Sequence, residues 1–213
     1  MNNTPIQPLQ GNNIINSTSI TLKDLSLLSY NPYGWGDVKA DFVKTLLIAH
    51  GVHILALQEH LQLKNNTFKI SQHFSDYNVF SLPAVKSNLA IKSGRPSAGL
   101  AFLYSSKLNK HITQIQVPNS FRVQGLKLTT GNSTYIFINA YFPVDTQNRN
   151  ADNLELVQTF QDIKYITDSC GVGSVVVLMG DINCDFSRNS QFVLSVWNLL
   201  DVLDNKLLHP NQQ

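Results

Sequence analysis

The sequence predicts an α+β fold in which β-sheets pack against helices. Apolar runs with strand-like patterning recur along the 213 residues. Two of these runs are joined by Gly-Asn, which is a strong signal for a β-hairpin. A few amphipathic segments lie among the strands, without the strict alternation of strands and helices that marks βαβ units. This pattern favours a sandwich of sheets and helices.

The first half of the chain contains three predicted strands and one predicted helix. The run Leu25–Asn31 predicts the first strand, which PYGWG interrupts. Apolar residues at helical spacing predict a helix over 37–51, with Gly51 as its C-cap. HILALQEH predicts a second strand whose polar end begins at Gln58, and YNVFSLPAV predicts a short third strand.

The second half of the chain begins with a predicted loop, KSNLAIKSGRPS, and a strand at AGLAFLY. FRVQGLKLTTGNSTYIFINAYFP predicts two strands that form the hairpin. A helix follows, because five apolar residues share one helical stripe. These residues are Leu154, Val157, Phe160, Ile163 and Ile166. SRNSQFVLSVWNLLDVLD predicts the last helix.

The segment VVVLMGDINCDF, Val175–Phe186, joins a predicted strand to polar residues. Five consecutive apolar residues predict a strand that is covered on both faces. Gly180 would let the backbone turn, and Asp181 and Asn183 would then share one face at the carboxyl end of the strand. An Asp/Asn-rich turn that only ends the strand is the alternative interpretation.

Composition limits the classes of protein to which the chain can belong. A net charge of +2 lacks the strongly basic signature of non-specific nucleic-acid binding. The two cysteines are too few for a disulfide framework, and we find no signal peptide or membrane-length apolar run. We therefore expect an intracellular protein, nuclear or cytoplasmic and not secreted, without a membrane partner. Residues 1–20 are polar and aperiodic and predict a flexible leader, followed by one domain over 21–213.

Four predicted strands share a feature, which is an apolar run that ends in an oxygen-bearing side chain. The residues are Asn31, Glu59, Tyr141 and the pair Asp181 and Asn183. Four such ends in one chain indicate that the strand ends converge on a site. Carboxylate, amide and phenol oxygens suit Mg²⁺ or Mn²⁺, and a nearby Asp would activate or orient an attacking water.

The motifs LLSYN, LALQEH, GRPSAGLAFLY, NAYFP and MGDIN occur in an order and at a spacing that resemble the endonuclease/exonuclease/phosphatase superfamily. The resemblance runs from about Leu25 to Leu208. GRPSAGLAFLY is especially similar to the apurinic-type endonuclease domains of non-LTR (LINE-like) retrotransposons, which nick target DNA before reverse transcription. The resemblance implies two packed β-sheets flanked by helices, a four-layer sandwich with the site at one edge.

The resemblance also implies a role for each strand-end residue. Asn31 and Glu59 would hold Mg²⁺ or Mn²⁺, and Tyr141 would contact the scissile phosphate. Asp181 would orient or activate the water, and Asn183 would hold water or phosphate. The implied partner is DNA, and the chain would be part of a longer retrotransposon polyprotein with a reverse transcriptase. Gly34 and Trp35 would lie in a loop near the site.

The sequence departs from the family pattern at three places. His60 stands where related elements often carry Thr, and Val144 stands where many relatives have Asn; we expect both at the periphery of the site. The family closes its site with a Ser-Asp-His motif on a strand near the end of the domain, and this sequence contains no such motif. Asp204 and His209 have the wrong spacing to replace it. We therefore expect a C-terminally truncated chain whose last strands are missing.

The named residues also have purely structural interpretations. Asn31 would be a turn former before Pro32, Glu59 a solvated strand cap and Tyr141 a core aromatic residue. Five cations would be solvated or would contact DNA phosphates, and Arg95 is our substrate-binding candidate among them. These cations are Lys92, Arg95, Lys107, Lys110 and Arg122.

Three functions follow from these observations. The first is a DNA-nicking endonuclease of retrotransposon origin that depends on a divalent metal and is impaired by truncation. The second is a phosphodiesterase of the same superfamily that acts on inositol phosphates or sphingolipids, for which the compact chain shows no specific insertion. The third is a non-catalytic remnant of a retrotransposon reading frame, which the missing motif supports.

Overall fold

The computed structural model describes residues 22–86, 96–144, 150–187 and 192–199. Two four-stranded sheets pack face to face, and helices cover both outer faces. The predicted α+β sandwich of four layers is therefore confirmed. The predicted leader at 1–20 lies outside the described residues, and the absence of further C-terminal strands stays a prediction.

The first sheet has a parallel pair of strands at one edge and antiparallel strands beyond it. Its order is β1 (Leu27–Tyr30), β2 (Ile54–Leu57), β6 (Leu100–Ser105) and β3 (Tyr77–Leu82). A separate two-stranded ladder joins β4 (Val85–Lys86) to β5 (Pro96–Ser97). All of the predicted strands in this half of the chain are present.

The second sheet contains the predicted hairpin. Its order is β10 (Val175–Asp181), β9 (Ser133–Tyr141), β8 (Val123–Thr130) and β7 (Ile112–Gln116). Thr130 pairs with Ser133 across Gly131 and Asn132, as the Gly-Asn signal predicts. β7, a half-exposed strand that pairs with β8 at the edge of the sheet, was not predicted from the sequence.

Four helices complete the described fold. They are α1 (Asp37–Ala49), α2 (Phe68–Ser71), α3 (Asn150–Asp168) and α4 (192–199). Short 3₁₀ turns lie at Leu22–Asp24, Lys64–Asn66 and Ser106–Leu108. In the part of the chain that the structure describes, no helix has the length and apolarity needed to cross a membrane.

The core consists of three apolar clusters, one between each pair of adjacent layers. Alternate residues of β2 point to opposite faces, so Ile54 packs between the sheets while Leu55 packs under α1. The outer face of the second sheet packs against Ile163 and Ile166 of α3 and Phe192 of α4. Burying these faces is the main stabilising contribution to the sandwich.

The sequence predicted the wrong face for part of α3. Leu154 is 72% exposed and Val157 is 49% exposed, whereas Leu156 is buried with Ile163 and Ile166. The helix carries more apolar residues than one stripe can bury, so the position of the sheet decides which of them face the core.

The prediction that β10 is covered on both faces was also wrong. Val175 is 44% exposed, and Val176 to Leu178 are only partly buried. The strand pairs with β9 on one side only, because it is the last strand of the second sheet among the described residues. The same apolar sequence can form an edge strand or a central strand. Its exposure therefore depends on the neighbouring strands.

Three buried amides join the sheets in the otherwise apolar interior. Asn139 Nδ2 donates to the carbonyl oxygens of Leu57 (3.0 Å) and Ala101 (3.1 Å) in the first sheet. Gln58 Nε2 donates to Asn139 Oδ1 at 2.9 Å. The Gln124 amide oxygen, oriented to face the first sheet, accepts from the amides at positions 101 and 102. All three side chains are almost fully buried, so each depends on these protein partners instead of water.

We predict that Asn139→Leu destabilises the fold by roughly 2–4 kcal/mol, because the buried carbonyl oxygens and the Gln58 amide lose their partners. Urea denaturation measures the change. Asn109→Leu, at an exposed position, is the matched control and should change stability by no more than about 0.5 kcal/mol. An Asn139→Leu protein as stable as this control would show that the amides do not hold the sheets together.

Candidate active site

The predicted strand ends meet at one edge of the sandwich. Strands β1 and β2 are parallel, and so are β9 and β10, so each pair presents its carboxyl end on the same side. Asn31 follows β1 directly, and Glu59 is the second residue after β2. Tyr141 and Asp181 are the last residues of β9 and β10 and pair with each other in the sheet.

A hydrogen bond between side chains links the two sheets at this edge. Asn31 Nδ2 donates to Asp181 Oδ2 at 2.7 Å, across 150 residues of sequence. Asn31 Oδ1 accepts from the Tyr33 amide at 2.8 Å, which holds the Asn31 side chain in this orientation. The turn that the structural interpretation expected at Asn31 is therefore present, together with a contact across the site.

Glu59 and Tyr141 form a second contact across the sheets. The Tyr141 hydroxyl lies close enough to the Glu59 carboxylate, which is only 8% exposed, for the carboxylate to affect its pKa. Burial raises the pKa of Tyr141 well above its usual value, the Glu59 carboxylate raises it further, and the Arg122 guanidinium opposes this effect. Tyr141 therefore keeps its proton and acts as a hydrogen-bond donor at neutral pH.

Asn183 organises the loop after β10. Its backbone amide donates to Asp181 Oδ1 at 3.1 Å, and its side-chain Nδ2 donates to the Phe142 carbonyl oxygen at 2.8 Å. Its φ of 50° lies in the left-handed region, which Asn adopts more readily than most residues. The Asp/Asn-rich turn of the alternative interpretation is thus present. The same hydrogen bonds fix the orientation of the Asp181 carboxylate.

The sequence predicted that the backbone turns at Gly180, and this was wrong. Strand β10 continues through Gly180 to Asp181. The φ of 143° at Gly180 brings the strand so close to β9 that a Cβ at this position would lie 1.9 Å from the Ala140 carbonyl oxygen. Only glycine fits this approach, and the approach sets Asp181 beside Tyr141.

The loop PYGWG lies next to Glu59. The Gly34 amide donates to the Glu59 carbonyl oxygen at 2.7 Å, and the Trp35 ring packs against Phe74 with Nε1 directed to the Lys69 carbonyl oxygen. The loop thus contacts the backbone of the site, while the Trp35 ring is a packing residue.

Arg122, one of the five cations named from the sequence, is a neighbour of the site. Its guanidinium lies over the rings of Tyr141 (5.3 Å) and Phe121 (5.1 Å) and pairs with Glu155 at 2.6 Å. Its Nε atom is buried and has no hydrogen-bond partner. The sequence could have predicted this position, because the register of a hairpin follows from its turn. That register places Arg122, just before β8, opposite Tyr141.

His60 directly follows Glu59, and its ring makes hydrogen bonds to residues outside the proposed site. Its ring is fully buried, and burial lowers its pKa to about 4, so it is neutral at neutral pH. Val144 is exposed. Arg95 lies outside the described residues.

The donors at this edge fit a hard divalent cation. Glu59 and Asp181 form no ion pair with any described Lys or Arg, so two carboxylates face one edge without a balancing cation. Mg²⁺ commonly binds one or two carboxylates and keeps several waters. Among the described residues no three His, Cys, Asp or Glu side chains form a metal-binding group, so an all-protein cage is not available here.

No family model matches the sequence, and no curated protein matches it significantly. Solved structures do match the fold. An AP endonuclease from Leishmania major matches with a TM-score of 0.60 and 14% identity, over 87% of this chain and 70% of that one. An endonuclease/exonuclease/phosphatase family protein from Leptotrichia buccalis matches with a TM-score of 0.57 and 15% identity, over 82% and 72%.

A third match is TDP2 from D. rerio, in a complex with a single-strand DNA product. Its TM-score is 0.52 at 13% identity, over 81% of this chain and 64% of that one, so the chain spans less than two thirds of its length. These structural similarities show the fold of this chain. Two packed sheets flanked by helices are the architecture of endonuclease/exonuclease/phosphatase proteins, as the sequence motifs implied.

We predict that Gly180→Ala destabilises the protein by about 3 kcal/mol or more, because the added Cβ would force β10 away from Ala140. Gly171→Ala is the control, since nothing lies within 4 Å of a Cβ there, and it should change stability by no more than about 0.5 kcal/mol. Both values follow from urea denaturation. Equal midpoints for the two variants would contradict the close approach of the strands.

Proposed function

We propose that the chain is a divalent-metal-dependent phosphodiester hydrolase that acts on DNA. The observation that carries the proposal is the convergence of Asn31, Glu59, Tyr141 and Asp181 at one edge of this fold. Two of these side chains are carboxylates without a balancing cation among the described residues. Such an edge favours a metal ion and a phosphate over a neutral ligand.

Glu59 and Asn31 would hold Mg²⁺ or Mn²⁺. Glu59 supplies a carboxylate that is largely buried, and Asn31 Oδ1 has a lone pair beyond the one that accepts from Tyr33. When bound, the metal would stabilise negative charge on the phosphoryl oxygens. The Gly34 amide binds the Glu59 carbonyl oxygen and so limits movement of this ligand.

Tyr141 and Arg122 would bind the scissile phosphate. The raised pKa of Tyr141 keeps its hydroxyl protonated, so it can donate to a phosphate oxygen but cannot accept a proton from water. Arg122 is held over the Tyr141 ring by Glu155 and brings positive charge to the same side of the site. Phosphate binding by such a pair is charge-assisted.

Asp181 would orient or activate the attacking water. Its two oxygens accept from Asn31 and from the Asn183 amide, which directs the remaining lone pairs toward the open side of the edge. A positioned carboxylate of this kind can accept a proton from water. Asn183 would contact water or phosphate through its backbone turn. The Ser-Asp-His motif of the superfamily has no counterpart in the sequence, so we assign its role to no residue.

DNA is the proposed substrate for two reasons. Structural neighbours include an AP endonuclease and a protein crystallised with a DNA product. The segment GRPSAGLAFLY is similar to endonuclease domains of non-LTR retrotransposons. On this basis we propose a retrotransposon origin, a nuclear or cytoplasmic site of action and a parent polyprotein with a reverse transcriptase.

We predict that Glu59→Gln lowers Mg²⁺- or Mn²⁺-dependent nicking of supercoiled plasmid by at least about 10²-fold, because it removes the charge of the metal ligand. Asp181→Asn should have a similar effect. Melting temperatures should stay close to that of the wild type, since both substitutions preserve shape. Asp41→Asn, on the exposed face of α1, is the matched control and should nick like the wild type.

Other outcomes would overturn the proposal in favour of its alternatives. Hydrolysis of inositol phosphates or sphingolipids without nicking would indicate the second phosphodiesterase function. Binding of the plasmid without nicking in either metal would indicate a non-catalytic remnant. Equal nicking by Glu59→Gln and the wild type would remove Glu59 from the site.

A further inference from the structure

Glu59 lies in an unusual backbone segment. Glu59 has a φ of 49° and Leu61 a φ of 58°, both in the left-handed region that side chains with a Cβ disfavour. The facing segment is similar, with Ala98 at 58° and Gly99 at 90°. Two backbone hydrogen bonds join these segments, from the amides of residues 60 and 61 to the carbonyl oxygens of residues 99 and 98. Such a conformation persists only where its surroundings hold it.

The ring of His60 connects this segment to both neighbouring strands. Nδ1 accepts from the Gln62 amide at 2.9 Å, so the proton of the neutral ring is on Nε2. Nε2 lies 3.2 Å from the Leu82 carbonyl oxygen at the end of β3 and 3.1 Å from the Leu100 carbonyl oxygen at the start of β6. Both ring nitrogens are therefore occupied, and neither is directed toward the metal-binding edge.

Gly99 completes the arrangement. A Cβ at this position would lie 2.7 Å from His60 Cε1 and 2.8 Å from Nδ1. The ring thus occupies the space that a side chain at position 99 would need. The buried ring and the left-handed glycine fit each other, which fixes residues 59 to 61 against the start of β6.

We propose that His60 is a positioning residue, whose buried ring holds the left-handed backbone of Glu59 and thereby directs the Glu59 carboxylate to the Tyr141 hydroxyl and to the metal. This inference rests on the proposed metal-binding role of Glu59. His60 itself contacts neither metal nor substrate. It acts as an outer partner of the ligand, and the loss of such partners commonly lowers metal affinity by about 10- to 100-fold.

The test compares His60→Leu with His60→Gln, which keeps an amide nitrogen near the place of Nε2 to donate to the two strand carbonyls. Leu108→Ala is the control, because it removes a fully buried side chain from the core between the sheets and destabilises the fold away from the site. Mn²⁺ binding to the DNA-free proteins is measured by electron paramagnetic resonance. Hydrogen exchange of the Leu61 amide, compared with the Leu126 amide of β8, measures the local stability of the turn in the absence of metal.

We expect His60→Leu to bind Mn²⁺ at least about tenfold more weakly than the wild type. It should also exchange the Leu61 amide at least about tenfold faster relative to Leu126. His60→Gln should recover part of both losses, and Leu108→Ala should keep both values near those of the wild type. If His60→Leu does not fold, the same comparison is made with His60→Gln, which should then show smaller shifts in the same directions.

Wild-type values of Mn²⁺ affinity and Leu61 exchange in His60→Leu would overturn the proposal, and so would equal losses in Leu108→Ala. Failure of the proposed function would give a different result. Wild-type protein and Glu59→Gln would then bind Mn²⁺ equally weakly, while the Leu61 amide would still exchange faster in His60→Leu than in the wild type. His60 would then hold the turn, but Glu59 would not bind a metal.

Discussion

The buried amide of Asn139 is the contact on which the arrangement of the two sheets depends. It belongs to β9, yet it donates to carbonyl oxygens of β2 and β6 and accepts from Gln58. Apolar packing between sheets has little directionality, so it tolerates small sliding movements, whereas these hydrogen bonds do not. Gln58 directly precedes Glu59, and Asn139 lies two residues before Tyr141. The bridge therefore fixes the relative position of the two strand ends that meet at the site.

Backbone strain is concentrated at the same edge. Glu59, Asn183 and Tyr33 all have positive φ values without being glycine, and each lies in a loop that leaves a strand of the site. Conformations of this kind typically cost about 1–3 kcal/mol each and persist where the rest of the fold over-determines them. Here the three apolar clusters and the amide bridge supply that support. The result is a set of side chains with few alternative orientations before any ligand binds.

The charges at the edge are arranged asymmetrically. Besides burial, Glu59 and Asp181 raise the pKa of Tyr141, while Arg122, which lies over its ring and is paired with Glu155, lowers it. Because burial weakens solvent screening, each of these charges influences Tyr141 strongly enough to shift its pKa in a definite direction. In the proposed function, Glu59 would hold a metal and Arg122 would contribute positive charge to phosphate binding. This complementarity is the electrostatic basis of the proposed hydrolysis.

The sequence by itself determined most of the strands, the hairpin and the residues at the strand ends, because periodicity and turn chemistry are local properties. Hydrophobic letters also predicted that α3 is amphipathic, but only the facing sheet decided that Leu156 rather than Leu154 is buried. The exposure of β10 and the existence of β7 depend on which strands lie beside them. His60 shows the limit most clearly, since its partners Leu82 and Leu100 are 22 and 40 residues away. Contacts at such separations leave no local pattern, so the role of a buried histidine is decided by the tertiary structure alone.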